Sequence, residues 1–331
     1  MMGKPLAISF IAILILTLSA LGIAFTPLSI LPALILPYAA FAVFVAGFIT
    51  RLVIWAKAPV PFRITSTCGQ QVSLPWIKSQ PLESPSGAWG VIGRMALEVF
   101  LFRSLFRNTD VAIVGKRPVY GSAKWLWLFA MIFHWSLLVI VLRHLRFFIE
   151  PIASAINNLA ALDGFFEIGV PTLYLSDIAV IAGLTFLFLR RIVVPQLRYI
   201  SLVTDYFALM LLLGIVTTGL LMRHFFPADL LQIKTLALGW VTFNPAVPKG
   251  AGSVFYIHLC FVFALMAWFP FSKLMHMGGI FLSPTRNLAN DNRMNRHLNP
   301  WNAPVKVHTY EEYEDEFRDK MKLAGLPLEK E

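Results

Sequence analysis

Residues 122–147, SAKWLWLFAMIFHWSLLVIVLRHLRF, decide the fold. From Trp125 to Leu142 the run carries no Asp, Glu, Lys or Arg, and His134 sits in its middle. A bilayer core takes roughly twenty apolar residues at about 1.5 Å of rise each, so this run is long enough to cross one. Backbone polar groups cannot stay open in hydrocarbon, so the crossing is read as a helix. The absence of dyad alternation argues against a β-barrel strand.

Working outward, five more runs have the same character, at about 6–26, 30–54, 168–190, 201–222 and 253–275. The first is read as a retained helix and not a cleaved signal, because 21 uncharged residues are followed almost at once by a second span. Pro32 and Pro37 are placed in the opening turns of the second helix, where a missing N–H costs least. Of 331 residues 57% are hydrophobic and 14% charged, against about 25% charged in a soluble domain. Twelve charges fall in residues 56–124 and 17 in 278–331, so the other 208 residues hold only 17. An ordinary soluble two-domain protein is excluded.

Ten Lys and Arg lie from Arg51 to Lys124 and none from 147 to 172, which by the positive-inside rule puts both termini, the 56–121 loop and the tail in the cytoplasm. Topology accounts for much of the net charge of +10, so the charge does not point to nucleic acid. The expected fold is an all-α integral membrane protein. Residues 1–277 form a six-helix, haem-binding bundle with a cytoplasmic loop and an interfacial helix within 56–121, and residues 278–331 form a cytoplasmic tail. The interfacial helix is read over 88–107, a membrane-surface cover over 229–245, and a partner-docking helix carrying Tyr310, Tyr313 and Phe317 over 306–323. Two cysteines, Cys68 and Cys260, exclude a disulfide framework, a Cys-rich metal site or an iron–sulfur cluster on this chain alone. No CxxCH occurs, which excludes covalent c-type haem.

The chemistry lies in the histidines. His134 and His144 share the third span and His258 and His276 the sixth, which runs the opposite way. His134 and His276 then belong to the inner half and His144 and His258 to the outer half, giving one cross-helix pair near each face. Intramembrane polar side chains are costly and are functional hypotheses by default. Neutral imidazoles from two facing helices are what a bis-histidine b haem needs, and two haems would form an electron path across the bilayer. On ideal helices ten residues rise about 15 Å and eighteen about 27 Å, so the pairing requires tilt. Arg143 and Arg146 are read either as partners of haem propionates or as helix-end anchors. For Asp177 and Asp205, capping and interhelical hydrogen bonding outweigh a proton relay or a quinone contact. Cys260 is treated as a small apolar residue, and His297 and His308 as tail residues, solvated or at a partner interface.

These spacings of 10 and 18 on antiparallel helices resemble the dihaem cytochrome b gamma subunit of respiratory nitrate reductase and the membrane subunit of heterodisulfide reductase. The tail segments SPTRNLANDNRMNRHLNPWN (283–302) and HTYEEYEDEFRDKMKLAGLP (308–327) look like the DsrM-like membrane cytochrome b family of the Dsr complex, associated with dissimilatory sulfite reductase. The resemblance implies that His134, His144, His258 and His276 are axial ligands of two b-type haems. It further implies electron exchange between menaquinone and a cytoplasmic iron–sulfur subunit similar to heterodisulfide reductase. The other implied partners are a periplasmic multihaem cytochrome c, a periplasmic ferredoxin-like subunit and a second quinone-interacting membrane subunit, in the cytoplasmic membrane. No lysine matches the quinone site of the nitrate reductase subunit; Arg223, His224 and Asp229, beside the outer end of the fifth span, are the candidates here. Two other classes compete: a proton-coupled transporter using intramembrane His and Asp, and a haem-free anchor for redox subunits.

Overall fold

The computed structural model describes residues 3–58, 80–165, 171–290 and 307–330. Cys68, His297 and the start of the expected fourth span lie outside the described residues. The chain is mostly helical. Helix α1 spans Lys4–Ala24. A 3-10 turn at Pro27–Ser29 and a π turn at Leu31–Ile35 lead into α2, Leu36–Lys57. Pro32 and Pro37 both stand in opening turns, as their missing donors require. Then come α3 (Ala88–Leu101), α4 (Arg103–Phe106), β1 (Thr109–Val114), β2 (Arg117–Ser122), α5 (Lys124–His144), α6 (Ser154–Asp163), α7 (Leu175–Val193), α8 (Pro195–Ile200) and α9 (Val203–His224). The chain continues as α10 (Leu230–Val241), α11 (Ser253–Trp268), α12 (His276–Gly279), α13 (Pro284–Asn287) and α14 (Tyr310–Leu323).

Among the described residues five helical stretches are long and apolar enough to cross a membrane: Lys4–Ala24, Pro27–Lys57, Lys124–Phe147, Val203–His224 and Ser253–Phe271. Helix α7, the expected fourth span, is a 19-residue helix whose charges, Asp177, Arg190 and Arg191, lie near its ends. It packs between α5 and α9, and α1, α2 and α9 surround α11. Glycines set the closest approaches: a Cβ on Gly183 of α7 would stand 2.9 Å from Phe133 Cβ, and one on Gly47 of α2 would stand 2.7 Å from Pro270. Side chains such as Phe10, Leu18 and Phe41 point outward, while Phe133, Val180, Leu184 and Leu212 make a buried cluster where α5, α7 and α9 meet. Cys260 is buried with Ala20, Leu211 and Phe261, as a small apolar residue would be.

Two expectations are corrected. The sixth helix does not run to 275. It ends at Trp268 because Pro270 lacks a donor and its ring would strike the preceding turn, and two 3-10 turns separated by an extended Ser272 lead to His276. The helix over 88–107 breaks at Phe102, which is left-handed (φ 48°, ψ 48°). Arg94 and Glu98 share its buried face, Trp89, Ile92, Ala96 and Phe100 its exposed one, and Arg103 and Arg107 turn back to Glu83. The chain is otherwise helical, as an all-α membrane protein is, and carries one antiparallel hairpin over 109–122, with Val111 opposite Tyr120 and Ile113 opposite Pro118. Its two-residue turn places Gly115 at φ +64°, the glycine-first turn that suits a twisted hairpin.

Candidate functional site

Helix α5 carries His134 and His144 ten residues apart, α11 carries His258, and α12 opens with His276. Extensive helix packing joins α5 to α7 and α11 to α1, α2 and α9, but none joins α5 to α11. The histidines reach across that separation. The rings of His134 and His276 lie with centroids 6.0 Å apart and planes at 80°. Two metal–imidazole bonds of about 2 Å each, added to the half-widths of two rings, give roughly that separation. At the other end, His144 and His258 lie within electrostatic reach of each other.

All four imidazoles are held in the same way. Nδ1 lies 2.8 Å from Ala130 O in His134, 2.7 Å from Ile140 O in His144 and 2.9 Å from Lys273 O in His276. In His258 it lies 3.1 Å from Ile215 O and 2.9 Å from Thr218 Oγ1, whose own hydroxyl donates to Gly214 O. A carbonyl opposite Nδ1 fixes the proton there and leaves Nε2 as the lone-pair donor, as in histidines that bind a metal through Nε2. None of the four Nε2 atoms is hydrogen-bonded among the described residues. Those residues contain no group of three or more His, Cys, Asp or Glu suited to a bare ion. Two-nitrogen pairs fit a macrocycle that brings its own equatorial ligands, so the donor set fits haem. Phe102 packs edge-on against His134 at 5.0 Å, a role that its left-handed backbone permits and that sequence reading missed.

Arg143 is buried and committed. Its Nη1 stands 2.8 Å from Asp163 Oδ2, its Nη2 donates to Asp177 Oδ1 at 3.0 Å, and its Cζ lies 3.6 Å from the centre of the Tyr174 ring. Asp163 also receives the backbone N–H and hydroxyl of Ser176. Arg223 stacks on the same Tyr174 ring at 4.3 Å and donates twice to Thr172 O. Tyr174 and Asp163, which the sequence reading did not single out, thus tie α5, α6, α7 and α9 together beside His144. Arg146 uses Nε on Arg143 O and forms no ion pair among the described residues. Asp229 caps α10 through Leu231 and Gln232. His224 has a buried Nε2 with no partner among the described residues. At the His134 end, Asp205 caps α9 and holds Lys273 at 2.8 Å, so it and Asp177 serve the capping and interhelical roles expected of them.

A family profile described as nitrate reductase gamma subunit matches residues 88–296, a range that includes all four histidines. The chain is also similar to the Hdr-like menaquinol oxidoreductase cytochrome b-like subunit of Archaeoglobus fulgidus, 46% identical over 274 residues that cover 81% of this chain and 82% of that protein. Against the protein of the same description from Archaeoglobus profundus the identity is 44%, again over 274 residues, with coverages of 80% and 81%.

Proposed function

The chain belongs to the nitrate reductase gamma subunit family, and on that premise we propose that it is a dihaem b membrane subunit exchanging electrons between menaquinol and a cytoplasmic iron–sulfur subunit. The observation that carries this reading is the shared state of the four histidines, each with Nδ1 against a carbonyl and Nε2 open, with one pair at bis-imidazole spacing. His134 with His276, and His144 with His258, would hold one haem each. Haem iron, when bound, supplies one-electron redox chemistry.

The chain's own residues do the rest. The carbonyls of Ala130, Ile140, Ile215 and Lys273 fix ring tautomer and orientation, and Thr218 adds a second hold on His258. With Arg143 spent on two carboxylates, Arg146 is the guanidinium left for a propionate at that end. Of the three quinone candidates, Arg223 is engaged with Thr172 and Tyr174 and Asp229 caps a helix. His224, with an unanswered Nε2, is the one we assign to quinol. The menaquinol assignment is supported by the description of the Archaeoglobus relatives.

In this reading α7 is a sixth crossing, both termini are cytoplasmic and the protein resides in the cytoplasmic membrane. Residues 278–331 serve as the partner-docking tail. Placement in a Dsr-type complex of dissimilatory sulfur metabolism is supported by the tail segments 283–302 and 308–327. That complex would include a periplasmic multihaem cytochrome c, a periplasmic ferredoxin-like subunit and a second quinone-interacting membrane subunit. Releasing quinol protons at the His144 face while electrons move inward separates charge, worth about 2.3 kcal/mol per charge per 100 mV.

The test is a reduced-minus-oxidised spectrum with pyridine haemochrome quantitation on the purified chain. Two b haems are expected, falling to one in His134→Ala or His258→Ala. Folded protein that takes up no haem when supplied with it would sink the reading and favour the anchor or transporter.

A further inference from the structure

The hairpin 109–122 is the feature that the electron path does not use. Every residue of both strands is exposed. Cross-strand register puts Val111, Ile113, Pro118 and Tyr120 on one face, with Ile113 79% and Tyr120 69% exposed. A lone two-stranded hairpin is at best marginally stable in water, and among the described residues no third strand pairs with either outer edge of this one. Lipid is a poor cover, since open sheet edges do not occur in hydrocarbon. The turn is basic, with Lys116 and Arg117 exposed and Lys124 just beyond β2.

The hairpin's place also matters. Its base is closed by Ala123 N–H on Asn108 O, and Phe106 sits edge-on to Trp127 at 4.9 Å. Trp127 in turn donates to Leu101 O, next to Phe102 against His134. Asp110 lies within electrostatic reach of Arg190 at the same end of α7. The hairpin therefore projects from the end of the bundle that holds the His134–His276 pair.

We propose that the hairpin face Val111–Ile113–Pro118–Tyr120, with its free strand edges, is the docking surface for the iron–sulfur subunit that exchanges electrons with the His134 end. That partner must offer an apolar patch rimmed by carboxylates to meet Lys116 and Arg117, together with backbone groups able to pair an open edge. The identity of the partner rests on the proposed function. The existence of a protein-docking surface rests on the hairpin alone.

The test uses the full chain co-expressed with the cytoplasmic iron–sulfur subunit and solubilised as a complex, with Ile113→Asp/Tyr120→Ser and, separately, Lys116→Glu/Arg117→Glu. Haem per chain and the reduced spectrum should stay unchanged. Retained iron–sulfur subunit should fall at least about tenfold in the first variant, the scale of losing an interface anchor, and severalfold in the second. A photo-crosslinker at position 113 should join the iron–sulfur subunit. Full retention in both variants, or crosslinks to a second copy or to residues 307–330, would overturn the proposal. Haem loss in these variants and also in the milder Ile113→Ser would mark the hairpin as structural and overturn it too. If the unsubstituted chain holds no haem, the functional reading fails while the retention assay still reports on docking.

Discussion

Arg143 stands next to a proposed ligand yet is bound to other work. Its guanidinium lies between Asp163 and Asp177 over the Tyr174 ring, with 7% of its surface exposed. Replacing it with Met would leave two buried carboxylates unpaired, and breaking a buried pair in this way typically costs about 3–5 kcal/mol. Arg143→Met should therefore lower the melting temperature of the detergent-solubilised protein markedly, whereas Arg146→Met should change it little and weaken haem retention at the His144 end. Thr218 is a subtler case: Thr218→Val removes one acceptor from His258 Nδ1 and leaves Ile215 O, so haem should remain but be held about tenfold less tightly. A thermal melt checks the two arginine variants for stability, and haem titration of Arg146→Met and Thr218→Val checks the two statements on haem. The histidines themselves were legible because an imidazole in an apolar run is conspicuous. The partners of Arg143 were not, because Asp163 reaches it from a short helix that hydropathy does not register.

Among elements, α5 and α7 approach so closely at Gly183 that an added Cβ would meet Phe133 Cβ at 2.9 Å and its backbone N and Cα at 3.0 Å. Backbone cannot swing aside, so Gly183→Ala should cost about 1–3 kcal/mol and disturb His134 one residue on, whereas Gly22→Ala, with nothing within 4 Å, should be neutral. Thermal unfolding followed at the haem band separates them. In α14, the backbone N–H groups of Glu329 and Lys330 and the charge of Arg318 hold the Glu314 carboxyl below its ordinary value despite the opposing effect of burial. A depressed folded pKa means that this contribution is fully present above the ordinary carboxyl value and is lost as pH falls through the folded one. Hydrogen exchange over 310–323 in the full chain should therefore accelerate on acidification, and Glu314→Gln should flatten that dependence. The tail helix was readable from Thr309 and Glu312, a capping box that the structure forms. The hairpin was equally readable from β-branched residues around Gly115–Lys116, but hydropathy windows suited to spans pass over six-residue strands. Pro270 likewise announced the end of α11, and the break it makes explains why uniform helical rise could not align His258 and His276 with α5.

At the scale of the whole molecule, the proposed electron path requires α5 to cross the bilayer with its two histidines near opposite faces. By the positive-inside rule, the basic stretch before α5 and the absence of Lys and Arg from 147 to 172 would orient that crossing with the hairpin inside. Lys116 in the hairpin turn and Asn157 in α6 are both exposed, and α5 is the one potential span between them. With Cys68 and Cys260 replaced by Ser, Asn157→Cys should react with a membrane-impermeant maleimide in intact cells, and Lys116→Cys only after permeabilisation. The reverse pattern would turn the molecule over, sending electrons outward from quinol and placing the docking hairpin outside. Labelling of both positions from one side would be more damaging, because α5 would then not cross. The two histidine pairs could no longer lie near opposite faces, and no haem content, however complete, would rescue a transmembrane role.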